Sequence, residues 1–324
     1  MSENSVVTGV ATWPAGRPAH RDATGVARTW AAPSFRRWLQ LGLAAIWLLD
    51  AVLQLQSFMF GQGFSHMLAG TAAGNPAFIA DPITWSARLI ADHPTWTNAT
   101  FASVQLFLAV GIAWRPTVKV ALAASIPWAL GVWWVGEGLG GVLAGTANPV
   151  MGGPGAVVIY ALLAVLLWPT DRDGPYEAAR PLGATPARML WLILWGSLAW
   201  FAVGPAASRA PQAMRNMIAG MASGEPGWLA SLDRSAANLV AGQGTTVAVV
   251  LAVVLGLVAA GVFLPVPGAR GALVLAGLVA AVIWVVGENF GGILAGSGTD
   301  PNTGPLLMLL AAAYWPVTRR KATP

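Results

Sequence analysis

Cysteine is absent from the chain. That excludes disulfides, Cys-ligated iron–sulfur or zinc sites, thiolate nucleophiles and CxxC redox chemistry, and is neutral about compartment. Charge is scarce as well: Asp, Glu, Lys and Arg make up 10% of the residues, where a soluble domain carries roughly 25%. Such a chain cannot clothe a water-facing surface of ordinary size. Histidine occurs at His20, His66 and His93 only, none inside an apolar run, so a bis-histidine haem within a membrane is not expected. HExxH and GxSxG are missing, and GEGLGG follows an apolar run with no βαβ unit, so it is no dinucleotide loop. No apolar core follows the charged start of the chain, as a signal peptide would require. Residues 1–36 read as a disordered cytoplasmic tail.

Hydrophobicity is what the chain has in quantity, with 56% apolar residues and a mean hydropathy of +0.62. Apolar runs cover 38–57, 99–114, 117–136, 154–168, 189–205, 245–264, 270–287 and 304–316. Several approach the roughly 20 residues that cross a bilayer core. The pattern predicts an all-α membrane protein of about eight transmembrane helices. The fourth and eighth runs are short for a full crossing, at about 20 Å.

Lys and Arg orient this arrangement. With the N-terminus inside, Arg17, Arg21, Arg28, Arg36, Arg37, Arg115, Lys119, Arg172, Arg180, Arg188, Arg270, Arg319, Arg320 and Lys321 are cytoplasmic, and only Arg88, Arg209, Arg215 and Arg234 lie outside. The positive-inside rule expects that imbalance, with both termini in the cytoplasm of an inner-membrane protein. The net charge of +5 therefore marks topology rather than nucleic-acid binding, and the lipid bilayer is the expected partner. Trp30, Trp38, Trp114, Trp168, Trp191 and Trp315 fall near the inner ends of the spans. Trp85, Trp96, Trp133, Trp134, Trp228 and Trp284 fall near the outer ends, as two aromatic belts.

An internal repeat stands out. Residues 133–145, WWVGEGLGGVLAG, match 284–296, WVVGENFGGILAG, at nine of thirteen positions. Residues 67–80, MLAGTAAGNPAFIA, match 217–230, MIAGMASGEPGWLA, at seven of fourteen. The expected organisation is one four-helix repeat over 37–169 and another over 188–316, with a cytoplasmic linker at 170–187 and a basic tail at 317–324. Each copy begins and ends on the basic side, so each crosses an even number of times and the repeats run parallel. An outer cap separates the first two spans of each copy. In the first, Ile83, Ala87 and Ile90 share one face of PITWSARLIADHP, as in a short surface helix that His93 caps.

Few polar residues could make a site. Glu137 and Glu288 occupy equivalent places in a GExxGG frame at the C-terminal end of a span, where the helix dipole disfavours negative charge. Facing each other across a pseudo-two-fold axis, they would hold a cation or share a proton. Alternatively, each accepts backbone N–H bonds and pins a re-entrant glycine-rich loop. Asp50 lies within the first span with Gln54 one turn on, and its counterpart in the second copy is Phe201. An ionisable residue inside a span faces a cavity or a partner. His66, Met67, Met214 and Met217 gather on the outer caps with side chains that suit Cu(I), although Met is also an ordinary filler of apolar faces.

The opening helix, RRWLQLGLAAIWLLDAVLQL, resembles that of DoxX-like four-helix membrane proteins, and four spans per unit also fits that family. The resemblance implies a quinone-associated or accessory membrane subunit. The chain departs from the thiosulfate:quinone oxidoreductase branch in lacking cysteine and in being duplicated. Three readings stay open on the residues alone: a transporter or channel for a small solute or cation, a quinone-associated accessory subunit, and a structural or assembly protein without a ligand. The cofactor and any protein partner stay open, with a quinone or a cation as the candidate ligands, and no nucleophile–base pair can be assembled for an independent enzyme.

Overall fold

The computed structural model describes residues 34–170, 172–204 and 212–317. The tail before residue 34, Arg209 and the basic residues from 318 onward lie outside the described residues. Among the described residues the structure is helical, apart from one isolated antiparallel bridge between Tyr176 and Pro316.

Every predicted apolar run is a helix. The first half of the chain holds α1 (Phe35–Leu53), α2 (Ser57–Phe60), α3 (Gln62–Gly70), α4 (Ala77–Asp92), α5 (Pro94–Ala113), α6 (Val118–Val135) and α7 (Ala156–Leu166). The second holds α8 (Ala184–Ala202), α9 (Ala213–Met221), α10 (Gly227–Leu239), α11 (Gly244–Gly261), α12 (Val266–Val282) with a π turn at Ile283–Gly287, and α13 (Thr303–Ala313). Local chemistry sets several starts. The Ser34 hydroxyl accepts the Arg37 N–H to cap α1, and Pro94 opens α5 at a position that needs no N–H donor.

Four helices are long and apolar enough to cross a membrane: α5, α6, α11, and α12 with its π turn. They are apolar outside as well as inside. Phe107, Val110, Val120, Val250, Val253, Leu257 and Val282 are all more than half exposed. Water tolerates continuous surfaces of that kind poorly, whereas hydrocarbon accepts a helix whose backbone bonds close internally. The 19-residue helices α1 and α8 back them, α1 against α5 and α8 against α11. Small residues allow the close crossings: a Cβ on Gly111 would meet Ala121, and one on Gly261 would meet Ala272.

The expected spans 154–168 and 304–316 are shorter still. Helices α7 and α13 have 11 residues each, about 16 Å, or half of a hydrocarbon core. They pack on α6 and α12 respectively and on each other. Tyr160, Leu163, Ala164 and Leu166 of α7, and Leu306 and Leu310 of α13, are fully enclosed. Instead of standing outside as a loop, the glycine-rich segment before α7 tucks into the bundle, burying residues 147–149 and 152–157. Trp133 Nε1 donates to the Pro154 carbonyl (2.6 Å), and Trp284 Nε1 donates to that of Pro301 (2.8 Å). These two indoles thus pin loops rather than facing an interface. Trp191, also expected in an aromatic belt, is fully buried, donating to the Val258 carbonyl at 2.9 Å and packing on Trp195 and Tyr314.

The expected linker at 170–187 is part of the packed structure. Tyr176, Ala178 and Ala179 are buried. The N–H groups of Glu177, Ala178 and Ala179 donate to the carbonyls of Trp315 and Ala313. These acceptors sit at the end of α13, where helix carbonyls have no intrahelical donor. Side chains of α1 serve α7 in a similar way, Gln40 Nε2 donating to Leu167 O (2.8 Å) and Arg36 to Thr170 O (2.6 Å). Beyond the opposite end of α1 lies the first cap. There Ile79, Ile83, Ala87 and Ile90 of α4 close over Met59, Phe64 and Leu68, so the amphipathic face expected from the sequence is buried.

Candidate functional site

The half-helices explain the two glutamates. Because the glycine-rich segments fold back, the N-terminus of α7 comes beside Glu137, and that of α13 beside Glu288. Glu137 Oε1 accepts the Val157 N–H at 3.4 Å. Glu288 accepts the N–H groups of Thr303 (3.3 Å) and Gly304 (3.0 Å), together with the Thr303 hydroxyl. Each carboxylate thus sits at the positive end of a half-helix dipole, a favourable position. The unfavourable site expected from the preceding span is only half of its surroundings.

The two are not otherwise equivalent. Glu288 is 1% exposed, all its bonds go to α13, and it does not line the cavity described below. Glu137 lines a cavity of about 1070 Å³, and its Oε2 is buried without a hydrogen-bond partner. This cavity lies among the end of α1, the first cap with its α4, α5, α6 and the two glycine-rich loops. Asp50 and Gln54 of α1 also line it. Asp50 is 2% exposed; its Oδ2 accepts the Tyr160 hydroxyl at 2.6 Å, and its Oδ1 has no partner. Gln54 Oε1 and Gln105 Oε1 are likewise buried without a donor. Four side chains that line one chamber therefore each hold a buried acceptor oxygen without a donor, where buried polar groups are normally satisfied.

Asp300, which sequence reasoning missed, completes the acidic set. It arrives from the second glycine-rich loop, with Oδ2 accepting the Thr299 hydroxyl (2.8 Å) and Oδ1 the Asn302 N–H (2.7 Å). In sequence, TDPNT reads as an ordinary turn in which Asp bonds its own backbone, so its reach into this cavity had no local signal. Gln105 did have one, as an amide inside an apolar run. Burial raises the Asp300 carboxyl above its ordinary range. Burial, then the nearby Asp300 charge, hold Glu137 well above its own. Among the described residues lining the cavity there is no Lys or Arg, and His93 is the one basic side chain.

The walls are aromatic. Trp47, Phe64, Phe101 and Trp128 line the interior, and Trp85 and Trp96, 65% and 78% exposed, stand at the lip. Trp47 Nε1 and Trp128 Nε1 are buried without acceptors.

The Cu(I) candidates are dispersed in role. His66 is exposed on α3, and Met67 lines the cavity. Met214 is buried in the second cap against Ile218, Ala237 and Ala248, and Met217 Sδ accepts from Asn148 Nδ2 at 3.6 Å. Among the described residues no three His, Asp or Glu side chains are grouped to hold a metal ion. Comparison with models of protein families, with curated proteins and with solved structures finds no match.

Proposed function

We propose that this is a multi-pass inner-membrane protein that carries or receives a small positively charged solute through the Asp50–Glu137–Asp300 cavity. The observation that carries the reading is the set of unpaired acceptors on that cavity, with no Lys or Arg to neutralise them. Buried carboxylates that no cationic side chain offsets are costly when ionised, and a bound cation would relieve that cost.

The architecture we infer is a parallel tandem duplication of a four-helix unit, six spans and two half-length helices, with both termini cytoplasmic. The matched Trp133–Pro154 and Trp284–Pro301 bonds, the matched Gly–Ala crossings and the distribution of Lys and Arg support it. Duplication supplies the scaffold, and divergence supplies the site. Phe201 stands in the second half where Asp50 stands in the first.

The test is a thermal-stability screen of the purified protein in detergent against inorganic cations, organic cations and quinones, beside Asp50→Asn and Glu137→Gln. A ligand that binds only the folded state raises stability by mass action. Stabilisation by cations that is lost in the variants supports the reading; indifference of the parent to every cation sinks it.

One observation favours a second reading. The unpaired indole N–H groups of Trp47 and Trp128 could donate to the carbonyls of a quinone held between aromatic walls, in keeping with the DoxX-like resemblance. Stabilisation by quinones alone, equal in parent and variants, would select it.

A further inference from the structure

We infer that the occupant of the cavity is an amphipathic organic ammonium bearing N–H donors and an apolar or aromatic body, bound once per chain. The inference deepens the cation reading above and rests on it.

Shape and chemistry argue against a bare divalent metal ion. A hard divalent ion needs about six or more oxygen ligands converging within roughly 2.0–2.6 Å, and among the described residues no such carboxylate group exists. The acceptors are instead dispersed along a chamber of about 1070 Å³, the size of site that takes a drug-sized molecule. A bare ion would leave most of that space and its apolar wall unused.

The wall describes the rest of the ligand. Trp47, Phe101 and Trp128 line the same cavity as Asp50 and Gln105, each of which holds one buried oxygen without a protein donor. Aromatic faces attract an ammonium through their quadrupole and pack against a hydrocarbon body. Asp50 and Gln105 are respectively 2% and 9% exposed, and neither of these oxygens has a protein donor. They call for N–H groups on the ligand, which a quaternary ammonium lacks.

Stoichiometry follows from the asymmetry. At the offsets of the internal repeat, Asp50 is replaced by Phe201 and Gln105 by Leu255. The second half therefore cannot repeat the chemistry, and one site per chain is expected.

Titration calorimetry on the full-length protein in detergent tests this with three probes of one shape: phenethylammonium, its N-trimethyl counterpart and neutral 2-phenylethanol. Phenethylammonium is expected to bind at one site per chain, more tightly than the trimethyl probe, with the alcohol about tenfold weaker or worse. Asp50→Asn should weaken phenethylammonium about tenfold, and Gln105→Leu about threefold. Should Asp50→Asn fail to fold, Gln105→Leu decides, because it copies the leucine that the other half already carries. Equal binding of alcohol and ammonium, or unaltered binding in the variants that fold, overturns the inference. If inorganic cations bind in an Asp50-dependent manner and phenethylammonium does not, this inference falls while the cation chamber stands. If quinones alone bind, both fall.

Discussion

Asp50 and Tyr160 are joined by a 2.6 Å hydrogen bond between side chains 110 residues apart, with the phenol donating to Oδ2. The Tyr160 ring lies 4.3 Å from that of Trp47, one helical turn before Asp50. The bond ties half-helix α7 to α1 and leaves Oδ1 as the carboxylate oxygen without a donor. Tyr160→Phe keeps the ring and removes the one donor to Asp50 among the described residues. A loss of about 1–3 kcal/mol is expected, the cost of leaving a buried polar group unpaired. Denaturation of the parent and variant in the same detergent checks it; identical transitions would show that the bond is incidental. Asp50→Asn, which retains an acceptor oxygen for the phenol, should lose less.

The glutamate caps predict an ordering. Glu288 accepts three bonds from the first turn of α13, one of them from a hydroxyl, whereas Glu137 is held only by backbone N–H groups at the start of α7, that of Val157 at 3.4 Å and that of Ala156. Truncating a helix cap costs about 0.5–2 kcal/mol, and Glu288→Ala should lie at or above the top of that range because it also strands the Thr303 hydroxyl. Glu137→Ala should cost less stability and more ligand binding. Paired melting and binding measurements on the two variants check the split, and the reverse order would contradict the assigned roles.

Stability should also depend on pH through Glu288, which lies just past the end of the α12 span. Burial raises its carboxyl to about 7, with the Thr303 and Gly304 donors opposing and Asp300 adding slightly. The unfolded chain titrates near 4.5, so between these values the folded protein binds more protons than the unfolded one. Its contribution is therefore fully present below the unfolded value and is lost as pH rises through about 7. The raised carboxyls of Glu137 and Asp300 slope in the same direction, so the parent curve alone cannot isolate Glu288. Its share is the difference from Glu288→Gln, whose melting temperature should fall less between about pH 5 and about pH 8. Parallel curves for parent and variant would exclude a titrating Glu288.

Much of this fold was legible because membrane helices announce themselves locally. Each apolar run became a helix, and the face of α4 carrying Ile83, Ala87 and Ile90 was found from its spacing alone. Asp50, Gln54 and Glu137 were legible as polar side chains in or beside apolar runs, and they do share a cavity. What was hidden depends on the path of the chain between helices. Whether Glu137 ends α6 or begins α7 is settled only when residues 147–155 fold back against the bundle. Asp300 looks like a turn residue and is one, yet the loop delivers it to the cavity wall. Ala178 and Ala179 sit in a polar stretch and nevertheless seal the end of α13, because the orphan carbonyls there need donors.

Two glycines near the cavity offer the most demanding test of that folded-back loop. Gly140 adopts φ +61° and Gly291 φ +74°, the left-handed region that a side chain rarely enters. A Cβ on Gly140 would fall on the carbonyl of Pro154, and one on Gly291 on the carbonyl of Asp300. Neither obstacle is the mobile end of a side chain, so the backbone itself would have to shift. Gly140→Ala should displace the Pro154 carbonyl that Trp133 holds, and Gly291→Ala should displace Asp300 from the wall. Gly220, inside α9 with open space around its Cβ position, is the control; alanine there should be neutral or stabilising by about 0.5–1 kcal/mol. Gly140→Ala should reduce the yield of folded protein, whereas Gly291→Ala should weaken cation binding even where the protein still folds. If both alanine variants behave like Gly220→Ala in melting and binding, the glycine-rich segments do not pack into the bundle and the cavity loses two of its walls.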